Sequence, residues 1–256
     1  MGALHRGHLA LLKRAKKENN IAVSSIFVNP LQFNDKKDLE KYPRTLEKDS
    51  EMLKGVGCDV IFAPSAEEMY PAESKANSEK PTAFNLGDLD KVMEGKQRPG
   101  HFQGVCVVVK RLFQIVQPDK AYFGEKDFQQ LAVIKHMVKT LGIPVQIIPC
   151  PTVREADGLA MSSRNTLLGF DERRSAPLIF KTLSAAKEKM KNTQVAELKK
   201  WAEEQINESP FLKTEYFEIV DSETLQPITE YRSGQTLRAC VAVKAGAVRL
   251  IDNIAL

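Results

Sequence analysis

The feature that most restricts the fold of this chain is an alternation of helical and strand-like segments from residue 6 to about residue 170. An amphipathic helix with Leu9, Leu12 and Ala15 on one face precedes the apolar run IAVSSIFV, and the helical segment VCVVVKRLFQIVQ precedes the run KAYFG. Such alternation is typical of a parallel sheet with helices on both faces. We therefore expect a Rossmann-like, doubly wound α/β fold, with functional side chains beyond the carboxyl ends of the strands.

The pattern changes after about residue 170. Two charged helical segments, near 171–190 and 194–208, precede the strand-like runs EYFEIV, TLRACVAV and VRLIDNIAL. Consecutive helices followed by consecutive strands indicate an α+β unit. The sequence thus predicts a larger α/β domain over residues 1–169 and a smaller α+β lid domain over residues 170–256.

Composition and charge exclude several classes of protein. The 37 basic and 33 acidic residues are spread along the chain and give a net charge of +4, so no nucleic-acid partner is indicated. The four cysteines form no C-x-x-C pair, which favours reduced thiols over a zinc cluster. The chain has no apolar run of about 18 residues and no signal-peptide pattern at its start, so we expect no membrane association and a cytoplasmic location.

Two histidines stand three residues apart at the start of the first helix, in the stretch MGALHRGH. His5 and His8 would share one helix face, and Gly7 between them would let a ligand approach the backbone closely. A helix N-terminus favours anions, and neutral imidazoles can donate hydrogen bonds to phosphate oxygens. The spacing also suits a zinc pair or two surface histidines, so the pair alone leaves phosphate chemistry, metal binding and no role open.

A second polar run, AMSSRN at residues 160–165, follows the last predicted strand of the first domain. Its two hydroxyl groups and the guanidinium of Arg164 can clamp a triphosphate, although the serines alone are an equally good helix cap. Together with the H-x-G-H stretch, this run points to the nucleotidyltransferase superfamily, in which the two signatures face each other across ATP.

Six stretches occur in one order over most of the first 165 residues: MGALHRGH, SIFVNPLQF, YPRTLEKD, RPGHFQGV, AYFGEKDFQQL and PTVREADGLAMSSRN. They resemble the motif series of the pantothenate synthetase family, the pantoate–β-alanine ligases, and VRLIDNIAL is similar to that family's C-terminal strand. The resemblance implies a ligase that joins pantoate to β-alanine. ATP and pantoate would give pantoyl adenylate and pyrophosphate, and the amine would then displace AMP.

The resemblance also implies roles for individual residues. The catalytic set would be His8, His5, Lys126, Ser162 and Arg164. The ATP site would comprise Met1, Gly2, His5, His8, Gly124, Glu125, Lys126, Asp127, Val153, Met161, Ser162, Ser163 and Arg164. The residues implied for pantoate are Gln32, Gln130 and the nearby Asn29, and those for β-alanine are Gln32, Arg98 and His101.

The family also implies a metal ion and a homodimer. Mg²⁺ would neutralise the phosphates of ATP. The YPRTLEKD stretch offers Asp49 as a candidate ligand, while Lys48 occupies a position that is often acidic in the family.

The start of the chain departs from the family pattern, because the family has a strand before Met1 that five residues cannot form. We therefore expect a sheet without its first strand, and one alternative is a truncated, non-catalytic homologue. Another is an adenylyltransferase that acts on a different small acid, against which the Gln32 and Gln130 pair argues.

Overall fold

The computed structural model describes residues 2–32, 39–40, 42–71 and 83–256. Its helices are α1 Arg6–Glu18, α2 Leu46–Lys54, α3 Ala66–Met69, α4 Met93–Gln97, α5 His101–Val116, α6 Phe128–Thr140, α7 Phe170–Ser175, α8 Leu178–Lys189 and α9 Val195–Asn207. Its strands are β1 Val23–Ser25, β2 Val60–Phe62, β3 Lys120–Gly124, β4 Gln146–Cys150, β5 Leu212–Asp221, β6 Leu237–Ala245 and β7 Val248–Ala255. Single 3-10 turns span Pro30–Gln32, Glu125–Asp127 and Ser163–Leu167.

The first four strands pair in parallel, as the sequence predicts. Val23 of β1 lies opposite Val60 of β2, and Lys120 of β3 lies opposite Gln146 of β4. A helix connects the strands of each pair, α2 in the first and α6 in the second, because parallel neighbours need a crossover connection. The predicted α/β class, with a separate antiparallel sheet, is confirmed.

The parallel strands differ in one respect from a continuous doubly wound sheet. Among the described residues, β1–β2 and β3–β4 form two separate two-stranded sheets. A cleft of about 1070 Å³ lies beside both sheets, and it is lined by Leu12 of α1, Val109 of α5 and all of β3. All five residues of β3 are therefore only half-buried, whereas a central parallel strand is normally buried on both faces.

The C-terminal part of the chain forms its own sheet. Strands β5, β6 and β7 pair antiparallel in that order, and α8 and α9 pack against them. Leu183, Leu198 and Phe217 are fully buried in the resulting core. That core also includes Leu159, which precedes Gly169, so the division into domains at residues 169 and 170 stays a prediction. Within the described residues, no helix has both the length and the apolar character needed to cross a membrane.

Helix α5 lies against the Pro30–Gln32 turn because residue 104 has no side chain. A Cβ atom on Gly104 would lie 2.1 Å from the carbonyl oxygen of Leu31. Asn29, which is 1% exposed, donates from Nδ2 to the Gly104 oxygen at 3.1 Å and accepts at Oδ1 from the Leu31 N–H at 3.2 Å. These contacts fix the position of Gln32, the last residue of the turn.

Replacement of Gly104 by alanine should therefore displace the turn. We expect Gly104→Ala to lower the free energy of unfolding by about 1 to 3 kcal/mol, the usual cost of overpacking, in a urea titration. Gly55→Ala is the matched control, because a Cβ atom there would meet its nearest backbone atom at an ordinary 3.5 Å. Equal stability of the two variants would show that α5 and the turn can separate without cost.

Candidate functional site

The cleft beside the two parallel sheets brings together most of the residues that the sequence singles out. Its lining includes His5, His8, Asn29, Gln32, Arg98, His101, Gly124, Lys126, Asp127, Gln130, Val153, Met161, Ser162, Ser163 and Arg164. Gly2 and Glu125 do not line it, and Met1 lies outside the described residues. The loops after β1, β3 and β4 contribute much of this lining, as expected for the carboxyl ends of parallel strands.

The two histidines of α1 form a reciprocal cap on the helix. His5 Nδ1 accepts a hydrogen bond from the Gly7 N–H at 3.1 Å, and His8 Nδ1 accepts one from the His5 N–H at 3.4 Å. A neutral imidazole has one donor nitrogen and one acceptor nitrogen, so both rings have the proton on Nε2. The ring centroids are 4.0 Å apart. The arrangement therefore provides two neighbouring N–H donors at a helix N-terminus.

Both imidazoles are neutral at physiological pH. Burial, followed by the positive charge of Lys126, lowers the pKa of His5 to about 4. Burial, with His5 and Lys126 as further causes, lowers the pKa of His8 to about 3. With such a pKa, the His8 ring is a neutral hydrogen-bond donor and not a protonated acid.

Gly7 is needed for this cap. A Cβ atom at residue 7 would lie 2.8 Å from Cε1 and 2.9 Å from Nδ1 of His5. Any other residue would push the His5 ring away from the helix start. The glycine of the H-x-G-H stretch thus makes room for an imidazole.

Lys126 lies in the Glu125–Asp127 turn at the carboxyl end of β3. Its side chain is 19% exposed, and Nζ lies 4.0 Å from Asp127 Oδ1. Asn253 of β7 donates from Nδ2 to the backbone oxygens of Glu125 and Lys126, both at 2.9 Å. A cation is thereby placed close enough to the histidine pair to affect the pKa of both rings.

The Ser-Ser-Arg run contains a helix cap that also lines the cleft. Ser162 Oγ accepts from the Arg164 N–H at 3.2 Å and caps the Ser163–Leu167 turn. Ser163 lies 3.1 Å, oxygen to oxygen, from the Tyr42 hydroxyl, and the Arg164 guanidinium lies 5.4 Å from the centroid of the Tyr42 ring. Tyr42, which the sequence did not single out, therefore helps to position this run.

Arg98 and His101 lie beside Gln32. The Gln32 backbone oxygen accepts from Arg98 Nη2 at 3.3 Å and from His101 Nδ1 at 2.8 Å. Burial, and then the Arg98 charge, lowers the pKa of His101 to about 4, so this ring is also neutral. Its proton is on Nδ1, which leaves Nε2 to accept from Arg98 Nη1 at 3.2 Å.

Behind Arg98 lies a buried carboxylate that sequence reasoning missed. Glu94 accepts hydrogen bonds from Arg249 Nη1 at 2.7 Å and Nη2 at 2.6 Å and from the Tyr216 hydroxyl at 2.8 Å. Burial would raise the pKa of Glu94, but Arg249 holds it below its usual range. Because Glu94 Oε2 is 3.8 Å from Arg98 Nη1, it links the C-terminal sheet to the Arg98 side of the cleft.

Asp49 has a different position from the one expected of a metal ligand. It is 1% exposed, and its two carboxylate oxygens accept from the N–H groups of Ala3 and Leu4, both at 2.8 Å, and from the Thr45 hydroxyl at 3.1 Å. Through these hydrogen bonds, Asp49 fixes the position of Ala3 and Leu4, just before α1. The described residues contain no group of three or more histidine, cysteine or acidic residues that could hold a metal ion.

Known proteins resemble the chain over almost its full extent. The pantoate–β-alanine ligase family model matches residues 1–255. The pantothenate synthetase of Porphyromonas gingivalis is 52% identical over 254 residues, which are 99% of this chain and 88% of that protein. The pantothenate synthetase of Phocaeicola vulgatus is 53% identical over 255 residues, with the same coverage of each chain.

Solved structures give the same result. The crystal structure of pantothenate synthetase from Thermus thermophilus superposes with a TM-score of 0.89 at 47% identity, and covers 99% of this chain and 90% of that one. A pantoate–β-alanine ligase from Francisella tularensis, crystallised with a β,γ-ATP compound and β-alanine, has a TM-score of 0.79 at 36% identity. The superposition covers 100% of this chain and 87% of the Francisella tularensis chain.

Proposed function

The chain belongs to the pantoate–β-alanine ligase family, and from this we propose which residues of the cleft act in each step of the ligation of pantoate to β-alanine. ATP is a substrate. The pantoate carboxylate attacks the α-phosphorus of ATP, and pyrophosphate leaves. The amine of β-alanine then attacks the acyl carbon of the pantoyl adenylate, loses a proton, and expels AMP.

The first step brings anions together, so we assign the donors and cations of the cleft to the phosphates. Lys126 places its ammonium against the transferring phosphoryl group, and the two Nε2–H groups of His5 and His8 hold the departing pyrophosphate. Arg164 adds a guanidinium from the Ser-Ser-Arg turn. The wider ATP site comprises Gly124, Asp127, Val153, Met161, Ser162 and Ser163, with Met1, Gly2 and Glu125 retained from the family resemblance.

Amide side chains suit pantoate because they pair with hydroxyl and carboxylate oxygens without adding charge. We assign this role to Gln32 and Gln130, which line the same cleft. Asn29 fixes the position of the turn that ends at Gln32, because its side-chain amide bonds to Gly104 and Leu31. For β-alanine we assign Gln32, Arg98 and the neutral His101, and the guanidinium of Arg98 would bind the carboxylate.

Mg²⁺ would enter the site bound to the phosphates of ATP. In most nucleotide enzymes the substrate phosphates and only one or two protein carboxylates hold this ion. The half-exposed Asp127, beside Lys126, is better suited to approach it than Asp49, whose oxygens are already hydrogen-bonded. The ion would reduce the repulsion between pantoate and ATP.

A homodimer and a cytoplasmic location are further proposals, the first from the family resemblance and the second from the sequence. Sedimentation equilibrium tests whether the protein is a dimer.

The observation that best supports this assignment is the convergence of the H-x-G-H pair, Lys126, Arg164 and two glutamines on one cleft. Pantoate-dependent exchange of labelled pyrophosphate into ATP is the direct test. We expect exchange with pantoate and none without it. Exchange with another small acid in place of pantoate would indicate a different adenylyltransferase, and no exchange with any acid would indicate a non-catalytic homologue. The similarity to pantothenate synthetases at about 50% identity argues against the second alternative.

Two adjacent glutamines allow a matched test of the pantoate site. Gln130 lines the cleft, whereas the buried Gln129 bonds to the Glu94 N–H and to the oxygens of Leu89 and Val92. Gln130→Ala should raise the KM for pantoate about 5- to 150-fold, which corresponds to about 1 to 3 kcal/mol from unpaired polar groups. Gln129→Ala should lower the melting temperature instead. A Gln130 variant with normal pantoate KM would remove this residue from the site.

A further inference from the structure

Strand β7 contains two adjacent polar residues that are buried, Asp252 and Asn253, which are only 4% and 5% exposed. Asn253 Oδ1 accepts from Arg238 Nη1 at 2.5 Å, while its Nδ2 donates to the oxygens of Glu125 and Lys126. The orientation of the amide follows from chemistry, because arginine can only donate and backbone oxygens can only accept. Asn253 is therefore fixed with its NH₂ group on the turn that includes Lys126.

Asp252 makes an equivalent connection to the segment that follows β4. Its carboxylate accepts from both terminal nitrogens of Arg154, at 2.6 and 3.0 Å. Arg154 directly follows Val153 and also donates to the Gly158 oxygen at 3.1 Å. Consecutive side chains of β7 thus hold two separate segments, one after β3 and one after β4.

We propose that Asn253 is a positioning residue that places Lys126 for adenylate formation, with Asp252 fixing the neighbouring Val153–Arg154 segment relative to it. The proposal rests on the function proposed for Lys126. A lysine side chain has four flexible carbons, so its ammonium is located only as well as its backbone. Asn253 bonds directly to that backbone, and a misplacement of about 1 Å can cost about 10²-fold in rate.

Asn253→Asp is the sharpest variant, because it keeps the shape of the side chain and the contact with Arg238 but replaces the NH₂ group with an oxygen that faces two carbonyl oxygens. We expect kcat for pantoate-dependent pyrophosphate exchange to fall about 10- to 100-fold, in line with a misplacement of the ammonium by up to about 1 Å. The KM for pantoate should stay within about twofold, because the glutamines are not displaced. Asn253→Ala, which removes the donor without adding charge, provides the same test if the aspartate variant does not fold.

Leu250→Ala is the matched control. Leu250 lies on the same strand, is buried in the C-terminal core and is not among the residues that line the cleft. Its replacement should lower the melting temperature and leave kcat unchanged. A similar loss of kcat in both variants at similar stability would mean that Asn253 acts only through the folding of the C-terminal sheet, and would overturn the proposal.

A double-mutant cycle separates this proposal from the one on which it rests. In a Lys126→Ala background, Asn253→Asp should cause no further loss of kcat, because its effect passes through Lys126. Additive losses would contradict the positioning role. If Lys126→Ala itself leaves exchange unchanged, the assigned function of Lys126 is wrong, whereas normal exchange in Asn253→Asp alone refutes only the positioning role.

Discussion

Replacing Lys126 by alanine should lower kcat for pantoate-dependent pyrophosphate exchange by about 10²- to 10³-fold, the usual cost of losing one transition-state charge donor. The neighbouring imidazoles are neutral, with pKa values of about 4 for His5 and about 3 for His8, so they cannot replace the lost positive charge. Steady-state exchange at saturating ATP and pantoate measures the effect. The KM for pantoate should change little.

Lys120→Ala is a suitable control for this experiment. Lys120 begins the same strand, β3, and lines the same cleft, but it lies at the amino end, away from the histidine pair. The variant should exchange pyrophosphate at the normal rate. Lys126→Arg should recover part of the activity, since it restores the charge with a different shape. Normal exchange in Lys126→Ala would exclude this lysine from the chemistry.

The local parts of the site could be predicted from the sequence because their geometry depends on near neighbours. The spacing of His5 and His8 puts them at the N-cap and in the first turn of α1, and the order of helix and strand puts the loops after β3 and β4 at one edge. The serine cap in the Ser-Ser-Arg run was one of two interpretations, and the structure shows that the cap and the cleft lining coexist.

The features of the site that could not be predicted from the sequence depend on contacts between residues that are distant in the chain. The role of Asp49 comes from a contact with Leu4 and Ala3, 45 and 46 residues away, and no periodicity indicates it. Asn253 meets Lys126 across 127 residues. A signal existed for the second case, because Asp252 and Asn253 are two adjacent polar residues among the apolar positions of the run VRLIDNIAL, which is unusual in a buried strand. It gave no indication of which turn they contact.

The stability of the protein should fall between about pH 7.5 and pH 5 because of its buried neutral histidines. His101 is 7% exposed, and its pKa is lowered to about 4 by burial and by Arg98. Between this value and the unfolded pKa of about 6.5, the unfolded state binds the proton and the folded state does not, so stability is lost as pH falls. At about pH 5 the expected loss from His101 is about 2 kcal/mol, and His8 adds a similar amount.

Urea unfolding of the wild type and of His101→Asn at about pH 7.5 and pH 5 tests this prediction. Asparagine can donate from Nδ2 to the Gln32 oxygen, as the imidazole Nδ1 does, but it does not titrate. The variant should therefore lose about 2 kcal/mol less than the wild type between the two pH values, whatever its stability at the higher one. Carboxylates contribute little to the difference, because their unfolded pKa values of about 4 lie below this window. Parallel pH dependence in the two proteins would mean that His101 gains its proton in the folded state as readily as in the unfolded chain, and that this side of the cleft is open to water.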